Sequence, residues 1–342
     1  MSNQFWTGMA IIFFGGALTG SFALPLKSSR VWHWENSWLI FAVVSLLFLP
    51  LVLAAGLVPR LQDVWETVPP RALAYPLIFG FFWGIAQLTY GLGIKAVGMG
   101  LAIAIVQGLS CLSGSLVPLL VFNPSDLTQP RGLLLIGSMP ILFVGLALYG
   151  KAGTRREKEQ ASSDLTVRKA GSSFLTGLFI CIFTGIVGSS INLGFAFGKD
   201  IIQQSQQLGA GPVTSTYAVW ALVLGAGFFP NLLYCFFLLF RNGTWSLFTQ
   251  RGSVKEAGIA CAMALLFLPG ILAYGIGANM VGVYGTSVGF ALFAASQILS
   301  SNTLGVLTGE WKSTSPKTRM LLAAGTVVTL ISVVVLNLGG VF

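Results

Sequence analysis

Long apolar stretches alternate with short polar breaks along the whole chain. Stretches at 5–26, 37–58, 72–94, 97–122, 132–150, 174–198, 213–240, 257–278, 282–308 and 318–342 each approach the ~20 apolar residues that a helix needs to cross a bilayer. A longer hydrophilic segment, 151–171, opens with Lys-Ala-Gly-Thr-Arg-Arg-Glu-Lys-Glu and divides the chain near its middle. The pattern predicts an all-α membrane protein of ten transmembrane helices. Residues 1–150 form a first five-helix repeat, 151–171 a linker on the cytoplasmic side, and 172–342 a second five-helix repeat. An odd number of crossings per half sets the second half in inverted orientation.

Identities between the halves point the same way. A constant shift aligns Thr7, Gly8, Phe14, Gly16 and Ser21 with Thr176, Gly177, Phe183, Gly185 and Ser190. In each half, only a few residues join the third and fourth apolar stretches, around Lys95 and around Asn279–Gly282. Inverted repeats are a common plan of secondary transporters, with the substrate held near the midplane between the halves.

Composition narrows the class. Apolar residues make up 55% of the 342 positions and charged residues 8%, against about 25% charged in soluble domains. The mean hydropathy is +0.83. A net charge of +9 would suit a nucleic-acid partner if it were clustered, but the basic residues are scattered over short loops. All of the Lys and Arg except Arg60, Arg71, Arg131 and Lys199 fall in alternate loops on one side. The positive-inside rule assigns that side to the cytoplasm, so both termini face the periplasm of a bacterial inner membrane. The first apolar stretch has no Lys or Arg before it, which argues for a permanent helix over a cleaved signal.

Enzyme motifs are missing. Gly285-Thr286-Ser287-Val288-Gly289 matches the spacing of a nucleophile elbow, but it lies in an apolar stretch, and the chain's single histidine is the distant His33. There is no zinc-protease helix, phosphate-cradling loop or dinucleotide fingerprint, so neither catalysis nor a cofactor is expected. Cys111, Cys181, Cys235 and Cys261 lie within apolar stretches without metal-ligand spacing and read as packing residues. Gly16/Gly20, Gly80/Gly84, Gly194/Gly198, Gly285/Gly289 and Gly305/Gly309 stand one helical turn apart. That spacing lets helices approach closely, either for static packing or as faces that slide.

Polar residues inside the spans are the site candidates. A buried amide without partners is costly in lipid, so Gln87, Gln107, Asn192 and Gln297 are expected to face a cavity or each other. Serines and threonines can bond back to their own helix and carry less weight. Tyr90 and Trp220 offer aromatic faces at similar depth, suited to the apolar face of a sugar ring. No charge lies deep in any span, which favours a neutral polyhydroxyl solute over a charged one. Trp32, His33, Trp34, Glu35 and Trp38 cluster before and within the second stretch. They fit an interfacial aromatic belt, or a site where Glu35 or His33 carries a proton; Glu310 beside Trp311 poses the same choice.

The stretch Phe79-Gly80-x-x-Trp83-Gly84-Ile85-x-x-x-x-Tyr90-Gly91-Leu92, followed by Gly98-Met99, resembles the L-rhamnose–proton symporter family of the drug/metabolite transporter superfamily. Lys27 with Trp32-x-Trp34-Glu35 resembles that family's segment before its second helix. Gly185-Ile186, Lys199, Asn231-Leu232 and Glu310-Trp311 fall in register with it. The resemblance implies ten helices and proton-coupled uptake of a 6-deoxy sugar across the inner membrane, with Glu35 first among the proton carriers. Gln87 stands where the family pattern has an Asn, and Gly282–Phe293 has Tyr284 but no acid. Rival functions are export of amphipathic or drug-like metabolites, uncoupled sugar facilitation, and a membrane sensor or structural subunit. A lining of amides and hydroxyls would favour sugar, and an apolar aromatic lining would favour drugs.

Overall fold

In lipid, every backbone polar group must be satisfied within its own segment, and a helix does this without partners. The computed structural model describes residues 3–97, 99–122, 124–161, 174–309 and 311–338, and among these it contains helices and turns but no strand. Its α-helices are α1 (Asn3–Ser21), α2 (Trp34–Ala42), α3 (Leu49–Leu57), α4 (Leu61–Thr67), α5 (Pro70–Val97), α6 (Met99–Phe122), α7 (Pro130–Ala161), α8 (Phe174–Gly188), α9 (Ser190–Ala196), α10 (Lys199–Gln207), α11 (Tyr217–Asn242), α12 (Ser253–Val281), α13 (Val288–Leu307) and α14 (Pro316–Leu338). A π-helical turn, Val43–Phe48, joins α2 to α3 into one rod. Among the described residues, 8 helical spans are long and apolar enough to cross a membrane. The protein is thus an all-helical membrane protein.

Several elements depart from the hydropathy pattern. The stretch 174–198 is interrupted after Gly188. There Ser189 Oγ donates to Ile186 O and Ser190 Oγ to Val187 O. These local bonds compete with the helical ladder. α7 continues past residue 150 to Ala161, so the first part of the hydrophilic segment is helix and not loop. Charged residues such as Arg155 and Lys158 are good helix formers. The carboxylate of Glu159, near the end of α7, also accepts bonds from Ser315 N, Ser315 Oγ and Thr318 Oγ1 at the start of α14. Residues 162–171 of the expected linker, and Glu310, lie outside the described residues.

Glycines set the main crossings. α1 packs on α12, where Gly15 meets Gly270 and Gly8 meets Gly277 through the backbone. α1 also packs on α13, with Gly16 beside Ser296 and Gly20 beside Gln297. α5 lies along α11, where Gly80 faces Val223 and Gly84 faces Gly227. α8 packs on α5 and α6, α6 on α13, α2 on α11 and α12, and α7 on α14. Deep in the bundle, Trp220, Tyr274, Leu224 and Met263 are almost wholly enclosed.

Candidate functional site

A cavity of about 810 Å³ opens between the segment that follows α1 and helices α2, α5, α6, α8, α11, α12 and α13. Its lining follows helical spacing, because side chains three, four and seven apart share one face. On α5 the stripe is Trp83, Gln87, Tyr90 and Gly91; on α11 it is Tyr234, Leu238 and Asn242. Trp34, Leu92 and Asn242 are exposed and mark the mouth, whereas Trp83 (6% exposed) and Phe267 (4%) mark the deep end. Along α5, the nine-residue step from Trp83 to Leu92 gives the cavity a depth of about 14 Å.

The walls combine rings with hydrogen-bonding groups. Trp83 and Phe267 stack with ring centroids 6.2 Å apart and planes 17° apart. Phe22, in the turn that ends α1, touches Trp38, Phe41 and Phe267. Trp34 stacks on Trp38 at 4.9 Å. Facing these rings are Gln87, Tyr90, Ser110, Thr184, Asn242 and Gln297. Some of the hydroxyls are already engaged: Ser110 Oγ donates to Gly185 O at 2.7 Å and Thr184 Oγ1 to Thr89 Oγ1 at 2.7 Å. The amides of Gln87 and Gln297 and the phenol of Tyr90 are therefore the main groups for a solute's hydroxyls. A set of rings and amides can cover one apolar face of a sugar while satisfying its hydroxyls.

Glu35 closes one side of the rim. Its side chain is 6% exposed, and its carboxylate accepts from Asn242 Nδ2 at 2.9 Å and from Thr244 Oγ1 at 2.9 Å. His33 caps the start of α2 as an exposed ring, with Nδ1 3.9 Å from Glu35. The aromatic cluster is therefore more than an interfacial belt. Trp32 is buried and donates to Leu247 O, Trp38 donates to Asn231 Oδ1 at 2.9 Å, and Trp34 and Trp38 both line the cavity.

A second cavity of about 380 Å³ adjoins the first and shares Phe22, Ala23, Tyr90 and Gln297 with it. It continues past Lys27, Tyr149, Ser301 and Asn302 to Arg156, whose guanidinium lies 4.8 Å from the ring centroid of Trp311. Tyr90 and Gln297 thus form the partition between the two spaces.

The candidate residues fall into three groups. Gln87, Tyr90, Gln297 and Glu35 are brought together around one cavity, with His33 outside its rim. Asn192 and Trp220 are not among the lining residues; both are fully buried. Asn192 Nδ2 donates to Gly114 O and Thr286 O while its Oδ1 accepts from the Tyr274 hydroxyl, so the amide has no donor left for a solute. Trp220 is stacked on Phe195 at 4.8 Å in the packed interior. Gln107 stands on α6, but its side chain lies outside the described residues, as does Glu310. Sequence reasoning missed Phe22, Phe267 and Asn242. The periodic stripe Trp83, Gln87, Tyr90 was the available signal for the α5 wall, and Tyr234, Leu238, Asn242 for the α11 wall. Among the described residues, no three His, Cys, Asp or Glu side chains gather to hold a metal.

Residues 1–341 match the family described as L-rhamnose-proton symport protein (RhaT). The chain is 25% identical over 345 residues to the L-rhamnose-proton symporter of Cronobacter sakazakii, covering 99% of each chain. It is 26% identical over 349 residues to that of Pectobacterium atrosepticum and 25% over 346 residues to that of Citrobacter koseri, each with 99% of both chains covered. A match over nearly the whole length, with lengths conserved on both sides, identifies more than a shared helix pattern. The chain belongs to the L-rhamnose-proton symport protein (RhaT) family, whose members are membrane transporters and not enzymes.

Proposed function

We propose that the protein imports a neutral 6-deoxy sugar, L-rhamnose or a close relative, together with a proton. The observation that carries this reading is the convergence of Gln87, Tyr90 and Gln297 with the rings of Trp38, Trp83 and Phe267 around one cavity, with the Glu35 carboxylate at its rim. The names of the relatives supply the sugar and the ion; the cavity supplies a lining that suits both. Glu35 is the proton carrier in this reading, because it is the carboxylate that touches the cavity among the described residues. His33 and Glu310 are the secondary candidates.

Alternating access by a ten-helix, 5+5 inverted repeat is the accompanying architecture. The packing network supports it: α1 meets α12 and α13 as α8 meets α5 and α6, and the pairs α2 with α11, α6 with α13 and α7 with α14 join equivalent helices of the two halves. Both termini face the periplasm on the basis of the loop charges. On that orientation the cavity mouth, beside Trp34 and Asn242, faces the cytoplasm.

The test is uptake into proteoliposomes under an imposed pH gradient, with L-rhamnose, L-mannose, L-fucose and a lipophilic cation as substrates. Concentration of L-rhamnose that collapses with the gradient is the expected result. Uptake of L-rhamnose only to equilibrium would make the protein a facilitator. Efflux of the cation without any sugar movement would favour the drug-export reading.

A further inference from the structure

Beyond the deep end of the large cavity, one side chain ties four helical segments together. Asn192 on α9 donates to Gly114 O on α6 and to Thr286 O just before α13 and accepts from Tyr274 on α12. Each tied residue lies beyond a lining residue of its own segment, on the side away from the mouth. Gly114 follows Ser110, Asn192 follows Gly188, Tyr274 follows Phe267, and Thr286 precedes Gln297. The network is therefore the floor of the cavity.

Two further features mark this floor as a barrier that moves. First, α9 is only seven residues long and is jointed at both ends, at Ser189 and at Phe197–Gly198. Second, the closed floor is not fully satisfied: the indole N–H of Trp220, packed against Phe195 and Tyr274, has no hydrogen-bond partner among the described residues. An indole N–H placed in this way gains a partner when the floor opens to a polar solute or to water. Neutral amide bonds suit a reversible tie, since water replaces them at small net cost, whereas a buried ion pair would resist opening.

We infer that Asn192 is the latch of this floor and that α9 is its moving part. Release of the amide lets α9 and α12 part from α6 and opens the cavity to the face opposite its present mouth. The inference rests on the transport reading, in which a cavity open on one face must have a barrier that yields on the other.

Thiol labelling tests it in a background lacking Cys111, Cys181, Cys235 and Cys261, with Ser287→Cys as reporter in the floor. A membrane-impermeant maleimide is applied to right-side-out and to inside-out vesicles. Asn192→Ala, which removes all three bonds, is expected to raise labelling from the face opposite the mouth by about tenfold or more, with no rise from the mouth face. Tyr274→Phe, which deletes one bond and keeps the ring, should raise it by a smaller factor. Equal rates in the parent and in both folded variants would overturn the latch, as would an equal rise from both faces, which reports general loosening. Sugar binding is measured separately on the purified parent. Faster one-sided labelling of the variants, with a parent that binds no sugar, would leave the latch standing and sink the sugar reading. Unchanged labelling of the variants, with a parent that binds L-rhamnose, would do the reverse.

Discussion

Gly84 on α5 and Gly227 on α11 meet backbone to backbone: a Cβ placed on Gly84 would lie 2.4 Å from Gly227 O and 2.9 Å from its Cα. One turn earlier, a Cβ on Gly80 would lie 2.2 Å from Val223 O. The two helices are thus pressed together on one side of this crossing. Toward their other ends, Gln87 and Tyr90 on α5 and Tyr234 and Leu238 on α11 line a cavity between them. Pro230 lies inside α11 between Gly227 and Tyr234, where a proline removes a ladder hydrogen bond and favours a bend, so the stretch just beyond the close approach is the one where the two helices can part. On α11 itself, Asn231 Nδ2 donates back to Gly227 O at 2.8 Å, and its Oδ1 accepts the indole N–H of Trp38, which ties α2 to α11 beside the crossing.

The crossing predicts the cost of filling it. Gly84→Val places a branched side chain against backbone that cannot give, so the helices must separate. Overpacking of this kind costs ~1–3 kcal/mol or more, and the purified variant should melt several degrees below the parent. Gly225→Ala on the partner helix α11 is the control: nothing lies within 4 Å of its Cβ position, and alanine is the better helix former. A Gly84→Val protein with the parent's melting temperature would show that the two helices are not in contact.

Cavity residues and buried residues should separate cleanly in ligand binding. Gln87→Ala and Gln297→Ala each remove a polar partner from the lining and should weaken L-rhamnose binding by ~1–3 kcal/mol, about 5- to 150-fold in Kd. Trp220→Phe, which alters a ring stacked on Phe195 away from the lining, should leave Kd within a factor of about two. Isothermal titration in detergent distinguishes the two sets. Loss of affinity in Trp220→Phe alone would relocate the site to the floor.

Acid should loosen the tie between α7 and α14. Glu159 accepts from Ser315 and Thr318, and the side-chain bond from Ser315, followed by the backbone bond from Ser315, holds its carboxyl below the ordinary value of 4.5. A carboxyl with a depressed folded pKa adds stability at pH above the unfolded value and loses it as pH falls through the folded one. Glu159→Gln should therefore lower the melting temperature at pH 7, and the gap to the parent should close below about pH 4. A gap that stays constant from pH 7 to pH 3 would show that the charge of Glu159 contributes nothing to this tie.

Much of this architecture was legible in the sequence, for a physical reason. A bilayer forbids exposed backbone and deep charge, so apolar runs mark the spans, and the scattered Lys and Arg fall between those runs or at helix ends. Gln87, Tyr90 and Gln297 stood out because an amide or phenol in an apolar run must find a partner. The same logic could not tell a cavity from a network. Asn192 met its partner in Gly114, Thr286 and Tyr274, all distant in the chain. Phe22 and Phe267 carried no signal, since a phenylalanine in a membrane span looks the same whether it faces lipid or a cavity. The break at Ser189 was hidden for a related reason: hydropathy is blind to the side-chain bonds that interrupt a helix.

The sharpest prediction concerns Glu35. Proton symport needs a group whose protonation depends on whether the site is loaded and which way it opens. Glu35 meets the geometric requirement: it touches the cavity, it is almost fully shielded, and its two hydrogen-bond donors, Asn242 and Thr244, come from the end of α11 and the turn after it. Protonation would remove the charge that holds those donors and so couple the proton to the contact between α2 and α11. Glu35→Gln keeps the size of the side chain and one acceptor oxygen but fixes the neutral form. The variant should bind L-rhamnose and exchange it across the membrane in counterflow, yet fail to concentrate it under a pH gradient. Asn242→Ala should retain gradient-driven uptake with a shifted pH dependence, because one partner of the carboxylate remains. Accumulation by Glu35→Gln equal to the parent's would exclude Glu35 as the carrier and turn attention to His33 and Glu310.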